Sequence, residues 1–431
     1  MNWTRIKSTF SPESRFNRDA VWNLGSLAVL AAAGLVLNFV VARAWSKDAL
    51  GVFTQVYAIY IVLSQLAVGG VHASVLKEVS YQQNDLERAA LSATSGLVLG
   101  AGIAAVVCAV CYPLCGYVGR LLNSDDVAIG LRDVVPGLFF FSLNKILLNI
   151  LNGVRHMRAY AVFAAMRYLL ILLGVLVIFI ARIHYAHLAA ALSMAEVALF
   201  VCLVRYVGVR VFPLRIAVDL RARMAAHFGF GVRGFLSALV SDLNTRVDAI
   251  MLGYFRTDAL VGLYSMAAVL AEGFYQFPVV IQRNVNPLIG KAFAEDDKAR
   301  IEWMARKTRR VLHAIMFGLC LVTIPLYGPL MRLAFPDKGY DESAWAFAIL
   351  IIGIAIQSGF APMGGILFQG GRPGEQTKLM ALVLTWNILL NLALIPAYGI
   401  NGAAIATGSA YVLQGILTVV FAKRHFGVRL L

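Results

Sequence analysis

Charged side chains interrupt several long apolar stretches of this sequence. The bases are Lys145, Arg167, Arg233, Arg246 and Arg283, and the acids are Glu196, Asp242, Asp248 and Glu272. A charge in the middle of an apolar helix costs about 2.5–3.5 kcal/mol on membrane-insertion scales, so such residues mark binding sites, ion pathways or ion pairs. Arg167 and Glu196 have opposite charges and would neutralise each other if their helices face. The remaining residues are candidates for binding an anionic group or an ion.

Helical spacing places these charges on the same faces as other polar side chains. At about 100° per residue, one side of the segment 227–254 is polar along most of its length. That side holds Arg233, Ser237, Ser241, Asn244 and Asp248. The segment 259–288 has a similar face with Glu272, Gln276, Arg283 and Asn286, and the segment 130–152 places Lys145 beside Asn149. Polar stripes on apolar helices indicate surfaces that line a hydrated cavity.

The elements that carry these residues are long apolar helices. The chain has 431 residues, of which 60% are hydrophobic and 14% charged, and its mean hydropathy is +0.75. Soluble domains have about 45–50% apolar and about 25% charged residues, so the composition excludes a soluble enzyme, a disordered chain and a disulfide scaffold. Runs of about 20 apolar residues predict an all-α polytopic membrane protein with about 12 transmembrane helices. They lie at 20–42, 51–75, 90–118, 130–152, 158–181, 186–207, 227–254, 259–288, 311–334, 344–368, 377–398 and 401–422.

The distribution of Lys and Arg predicts the orientation of the chain in the membrane. With the N-terminus in the cytoplasm, about 25 bases fall in cytoplasmic segments and about 8 on the opposite side, which is the positive-inside pattern. This split predicts that both termini are cytoplasmic. It also accounts for most of the net charge of +15 without nucleic acid as a partner. In one basic loop, residues 292–310 predict an amphipathic surface helix with Ile301, Met304, Ala305 and Thr308 on one face.

The two halves of the chain repeat each other. Residues 48–51 read DALG and residues 258–262 read DALVG, and two further echoes follow at a similar offset of about 210 residues. Three echoes in register predict two six-helix bundles, residues 1–215 and 216–431, around a central cavity. Parallel repeats of this kind occur in transporters that work by alternating access. Because the sequence has no P-loop and no long outward loop, it predicts a transporter and not an enzyme.

The seventh and eighth predicted spans carry a family pattern. Residues 248–255 read DAIMLGYF, residues 262–268 read GLYSMAA, and residues 287–289 read PLI. This order resembles the D-x-x-x-L-G-x-x…V-G-x-Y-x-x-A…P-x-x pattern of the Wzx-type polysaccharide flippases. They form the polysaccharide-transporter branch of the superfamily that includes MATE exporters and the lipid II flippase. The resemblance implies a bacterial inner-membrane protein that moves undecaprenyl-pyrophosphate-linked oligosaccharide from the inner to the outer leaflet.

The resemblance also implies roles for the intramembrane polar residues. The expected substrate-binding residues are Arg233, Arg246, Arg283, Lys145, Asn244, Asn149, Asn286 and Gln276. Arg forks match phosphate oxygens, and side-chain amides match sugar hydroxyls. Asp248 and Glu272 are expected to couple transport to a proton or Na⁺ gradient, and the rings of Tyr168, Tyr264 and Tyr275 to stack on sugars. The expected partners are the lipid bilayer, a polysaccharide polymerase and a chain-length regulator, with no cofactor or metal.

Other functions stay open on the sequence alone. A MATE-type small-molecule antiporter would favour acids over bases in its cavity, whereas here the bases slightly outnumber the acids. A membrane-bound polymerase or ligase would carry a large outward loop. Cys108, Cys111 and Cys115 have a spacing that a metal site would use, but further thiolate or His ligands are missing nearby, so these cysteines are interpreted as small apolar residues.

Overall fold

The structure is a computed structural model that describes residues 32–215 and 219–431, apart from the side chains of residues 233, 234 and 237. The described residues are almost entirely helical and contain no β-strand. The α-helices are α1 (Ala32–Ala44), α2 (Lys47–Val68), α3 (Val71–Tyr81), α4 (Leu86–Leu121), α5 (Asp125–Gly153), α6 (Met157–Ile180), α7 (Ala190–Arg210), α8 (Leu220–Phe255), α9 (Asp258–Ala294), α10 (Lys298–Ala334), α11 (Ala344–Ser358), α12 (Ile366–Gln369) and α13 (Pro373–Phe426). Short 3₁₀ turns at Tyr185–Ala189, Tyr340–Ser343 and Ala361–Met363 join some of them. The predicted all-α fold is confirmed.

The lengths of the helices match the thickness of a bilayer. Within the described residues, eight helical segments are long and apolar enough to cross a membrane. They are α2, α4, α5, α6, α10 and α13, together with α7 and α11 extended by the 3₁₀ turns that precede them (Tyr185–Arg210 and Tyr340–Ser358). Helix α13 has 54 residues, which is enough for two spans. The helices α8 and α9 have 36 and 37 residues but carry several of the predicted site charges, and α1 is described only in part. The chain is therefore a multi-pass membrane protein with about twelve spanning helices.

Glycines in the left-handed backbone region set two of the helix boundaries. Gly69 and Gly70 have φ values of 55° and 73°, so the predicted span 51–75 is divided into α2 and α3. Gly399, with φ 55° and ψ −128°, breaks α13 between its two predicted spans. Glycine adopts such angles at the lowest cost, because it has no Cβ to approach the backbone.

Two basic side chains bind the carbonyl groups that helix ends leave without partners. Lys338 Nζ donates to the carbonyl oxygens of Ala42, Arg43 and Trp45 at 2.7–2.8 Å, at the end of α1. The Arg256 guanidinium donates in the same way to the carbonyls of Ile395 and Pro396, just before the break in α13. A cation at a helix C-terminus also interacts favourably with the helix dipole.

The two copies of the repeated D-A-L motif lie against each other where α2 and α9 begin. A Cβ at Gly51 would overlap the carbonyl of Asp258, and a Cβ at Gly262 would overlap the carbonyl of Lys47. The contact is symmetric in the sequence: Asp258 lies four positions before Gly262, and Lys47 lies four positions before Gly51. The Asp258 carboxylate accepts hydrogen bonds from Gln55 Nε2 at 2.6 Å and from Ser124 Oγ at 2.7 Å. The repeat detected in the sequence is therefore also a close helix crossing.

The described chain forms two compact units. The first contains the residues up to Phe39, Ile59–Arg120 and Asp125–Leu239, and the second contains Val40–Ala58, Leu121–Ser124 and Val240–Leu431. The core of the first unit includes Val75, Ala93, Ile146, Leu147 and Leu199. The core of the second includes Ile289, Ile301, Ile366, Val383 and Ala422. The predicted boundary between two six-helix bundles at residues 215 and 216 stays a prediction.

The predicted amphipathic segment is the first part of a longer helix. The Asp297 side chain accepts a hydrogen bond from the Arg300 backbone N–H at 2.9 Å and starts α10. Ile301, Met304 and Ala305 are buried on one side, which confirms the predicted apolar face. Instead of a separate surface helix over 292–310, the structure has the end of α9, a short connection, and the first turns of α10. The reason is that no helix-breaking residue separates this segment from the span that follows it.

Candidate functional site

The second compact unit contains a buried carboxylate. Asp248 in α8 is 6% exposed, and its Oδ1 accepts a hydrogen bond from Asn391 Nδ2 at 2.8 Å. Its Oδ2 accepts a hydrogen bond from the Thr407 hydroxyl, and the Tyr264 hydroxyl lies 3.2 Å away. Asn391 also donates to Asn387 Oδ1 at 2.7 Å. We call Asp248, Tyr264, Asn387, Asn391 and Thr407 the Asp248 cluster.

The Asp248 cluster joins three long helices around one negative charge. Asp248 comes from α8, Tyr264 from α9, and the other members from the two parts of α13 on either side of Gly399. Among the described side chains, no Lys or Arg lies within ion-pair distance of Asp248. A buried carboxylate flanked by two hydroxyl oxygens offers oxygen atoms of the kind that hard cations prefer as ligands, and a proton would also neutralise the charge.

A second group of polar side chains adjoins the first in the same unit. The Arg246 guanidinium lies over the ring of Tyr57, with its central carbon 5.3 Å from the ring centroid. The rings of Tyr275 and Tyr411 are 5.3 Å apart with an interplanar angle of 32°. Glu272 interacts electrostatically with Arg246 and with Tyr411. We call Tyr57, Arg246, Glu272, Tyr275 and Tyr411 the tyrosine cluster.

The first compact unit contains a buried ion pair. Arg167 Nε lies 2.9 Å from Glu196 Oε1, which confirms that these two residues neutralise each other. Asn144 Nδ2 donates to Glu196 Oε2 at 2.8 Å, and the Arg167 guanidinium lies 4.6 Å from the centroid of the Phe141 ring. With both charges satisfied inside the unit, the pair has the geometry of a structural element.

Lys145 and Asn149 also lie in the first unit. Lys145 is half-buried, and its Nζ donates to Gln65 Oε1 at 3.3 Å. Asn149 Nδ2 donates to the carbonyl of Lys145 at 2.8 Å, so part of its hydrogen-bonding capacity is used within its own helix. The ammonium of Lys145 is the group of this pair with the chemistry to bind a phosphate oxygen.

The other predicted site residues are distributed over α8 and α9. The side chain of Arg233 lies outside the described residues. Gln276 and Arg283 are exposed on α9, whereas Asn244 and Asn286 are half-buried. The Oδ1 atoms of both asparagines are buried and have no hydrogen-bond partner among the described residues. The structure thus brings Arg246, Asp248 and Glu272 together, while the binding roles of all these residues stay predictions.

Several members of the two clusters were not among the predicted site residues. Asn387, Asn391 and Thr407 bind Asp248 or each other, and Tyr57 and Tyr411 contribute rings. A sequence signal did exist, since Asn387 and Asn391 are spaced i,i+4 in an otherwise apolar run. Tyr264, expected to stack on sugars, is 3% exposed and directs its hydroxyl at Asp248 instead.

A model of one protein family matches most of the chain. The family is described as "Polysaccharide biosynthesis protein", and the match extends over residues 17–293, which include α8, all but the last residue of α9, and the predicted family pattern. The chain belongs to this family. The predicted resemblance to polysaccharide transporters is therefore confirmed, although the match ends before α13 and its contribution to the Asp248 cluster.

The chain is also similar, at low sequence identity, to individual curated proteins. The probable flippase AglR of Haloferax volcanii is 24% identical over 215 residues, which are 48% of this chain and 44% of AglR. The lipopolysaccharide biosynthesis protein WzxC of Escherichia coli K12 is 23% identical over 418 residues, covering 93% of this chain and 77% of WzxC. The chain thus spans less than half of AglR but most of WzxC.

A solved structure supports the fold. The lipid II flippase MurJ, in an inward closed conformation, superposes with a TM-score of 0.77 at 15% identity, over 94% of this chain and 87% of MurJ. This likeness confirms the helical membrane fold of the family member described here. AglR is named a probable flippase and MurJ a lipid II flippase.

Proposed function

We propose that this protein is a flippase that moves an undecaprenyl-pyrophosphate-linked oligosaccharide from the inner to the outer leaflet by alternating access. The observation that carries the proposal is the Asp248 cluster, a carboxylate buried among the apolar helices of a polysaccharide biosynthesis family member. A charge at such a place is costly and is expected to serve transport. Its proposed location is the bacterial inner membrane, with both termini in the cytoplasm and a polysaccharide polymerase and chain-length regulator as partners.

The direct cellular test is the sidedness of lipid-linked oligosaccharide in cells that lack the gene. We expect intact repeat units to be held in the cytoplasmic leaflet, with loss of surface polymer. Single repeat units that accumulate in the outer leaflet would instead assign the chain to polymerisation. Unchanged lipids together with altered drug sensitivity would favour a small-molecule antiporter.

Asp248 is the residue proposed to couple transport to an ion gradient. Its carboxylate is buried, bound by three polar side chains and free of an ion-pairing base among the described residues, so a proton or Na⁺ would relieve an uncompensated charge. Vesicles that contain the purified protein distinguish the two ions, because a pH gradient and a Na⁺ gradient are imposed separately. Transport driven by neither gradient would remove this role from Asp248.

Basic side chains are proposed to bind the pyrophosphate. Lys145 and Arg246 lie half-buried in the first and second unit, Arg283 is exposed on α9, and Arg233 is the remaining candidate. The test is transport by the single variants Lys145→Ala, Arg233→Ala, Arg246→Ala and Arg283→Ala, compared with Arg332→Ala, an exposed residue at the end of α10. Full transport by all four variants would contradict the assignment.

A further inference from the structure

Three half-buried tyrosines in the second unit surround one acid and one base. Tyr57 comes from α2, Tyr275 from α9 and Tyr411 from α13, so residues that are far apart in the sequence provide the rings. The Tyr275 and Tyr411 rings lie 5.3 Å apart at 32°, and Tyr57 is covered by the Arg246 guanidinium. All three rings are half-buried and keep accessible surface, unlike the ring of Tyr264.

Glu272 is the acceptor that this arrangement leaves available. Asp248 receives its hydrogen bonds from within its own cluster, whereas the described side chains make no hydrogen bond or close ion pair to Glu272. Glu272 is half-buried and interacts electrostatically with Arg246 and Tyr411. The tyrosine cluster thus combines aromatic faces, a carboxylate that accepts hydrogen bonds and a guanidinium that donates them.

This combination matches the surface of a pyranose ring. A sugar has an apolar face of C–H groups, which packs against an aromatic ring. Around this face lie hydroxyl groups, and a carboxylate or a guanidinium can each form two hydrogen bonds with neighbouring hydroxyls. The local charge also selects among sugars. A sugar that bears its own carboxylate would place a second acidic group beside Glu272, which makes no close ion pair with the described side chains, and two like charges at close range are unfavourable.

We propose that the tyrosine cluster is a sugar subsite for an uncharged pyranose of the lipid-linked oligosaccharide, and that it discriminates against uronic acids. The pyranose stacks on Tyr275 and Tyr411, and Glu272 and Arg246 bind its hydroxyls. The inference rests on the proposed flippase function and assigns Glu272 to sugar recognition, in place of the ion coupling expected from the sequence.

Native mass spectrometry of the full-length protein with three synthetic lipids tests the proposal. The lipids are a polyprenyl diphosphate without sugar, the same lipid carrying one neutral hexose, and the same lipid carrying one hexuronic acid. Wild-type protein is expected to bind the hexose lipid most tightly. Tyr411→Leu is expected to weaken the binding of the hexose lipid alone, by about two- to tenfold. Tyr411→Phe keeps the aromatic ring and is expected to keep the affinity for this lipid. Glu272→Gln is expected to bring the affinities for hexose and hexuronic acid lipids closer together.

Tyr398→Leu is the matched control, because Tyr398 lies on the same helix but is 62% exposed. If Tyr411→Leu weakens the binding of all three lipids equally, or of none of them, the sugar subsite is wrong, while the proposed flippase function is unaffected. If wild-type protein binds none of the lipids, the proposed function itself fails. If Glu272→Gln abolishes gradient-driven transport without changing the order of lipid affinities, Glu272 is an ion-coupling residue and the subsite is wrong in that part.

Discussion

Thr407 donates its hydroxyl proton to a carboxylate that has no ion-pairing base among the described residues. A hydrogen bond to a charged group contributes about 1.5–3 kcal/mol. Thr407→Val removes this donor but keeps the shape of the side chain, so the ionised form of Asp248 becomes less stable. We expect the ion concentration that half-saturates transport to shift by about tenfold or more, measured with gradients across vesicle membranes.

The control for this experiment is Thr407→Ser, which keeps the hydroxyl and is expected to transport like the wild type. Asp248→Asn removes the charge altogether and is expected to abolish dependence on the gradient. An Asp248→Asn variant that is folded and still responds fully to the gradient would show that the coupling ion binds elsewhere.

Breaking the Arg167–Glu196 ion pair is expected to lower the stability of the fold and not to affect substrate binding directly. Both side chains are largely buried, so removing one partner leaves an unpaired charge at a cost of about 3–5 kcal/mol. Glu196→Gln is therefore expected to lower the thermal unfolding midpoint of the purified protein in detergent. The double variant Arg167→Leu, Glu196→Leu is expected to regain most of this stability, because no buried charge remains. A single variant as stable as the wild type would contradict the assignment.

At the scale of the elements, the crossing of α2 and α9 depends on two glycines. A Cβ at Gly262 meets the backbone carbonyl of Lys47, which cannot move aside as a side chain can. Gly262→Ala is expected to destabilise the protein by about 1–3 kcal/mol, measured by denaturation in detergent. Gly273→Ala on the same helix is the matched control, because no atom lies within 4 Å of the added methyl group.

Gly273→Ala is expected to leave stability unchanged or raise it by up to about 1 kcal/mol, since alanine is the better helix former. Equal effects of the two substitutions would mean that the close crossing does not limit stability.

The positions of the long helices could be predicted from the sequence, but the contacts between them could not. Apolar run lengths identified nearly every long helix, because a bilayer demands about 20 apolar residues whatever the tertiary contacts. The break at Gly69 and Gly70 was not predicted, since the surrounding residues are apolar on both sides. Helical spacing placed Asp248 on a polar face, but Asn391 and Thr407 bind it from 143 and 159 residues away. Such a pairing depends on how helices pack, which one helix alone does not reveal.

At the scale of the whole molecule, the Asp258 carboxylate holds together segments that are distant in the chain. Gln55 and Ser124 both donate to it, next to the crossing of the repeated motifs. Alternating access requires contacts of this kind to break and re-form. Asp258→Ala is expected to raise the labelling rate of a cysteine placed at buried Ala49 by about fivefold or more, after the native cysteines are replaced. An unchanged labelling rate would mean that the hydrogen bonds to Asp258 do not keep the start of α2 buried.

We propose that this protein moves a lipid-linked oligosaccharide across a bilayer without the help of another protein. The most direct measurement is the flipping of an undecaprenyl-pyrophosphate-linked oligosaccharide in vesicles that contain only the purified chain, followed by capture of the sugar at the outer surface. We predict flipping above the rate of protein-free vesicles, stimulated by a proton or Na⁺ gradient, with this stimulation lost in Asp248→Asn. Flipping no faster than in protein-free vesicles under either gradient, by protein that is folded, would contradict the account.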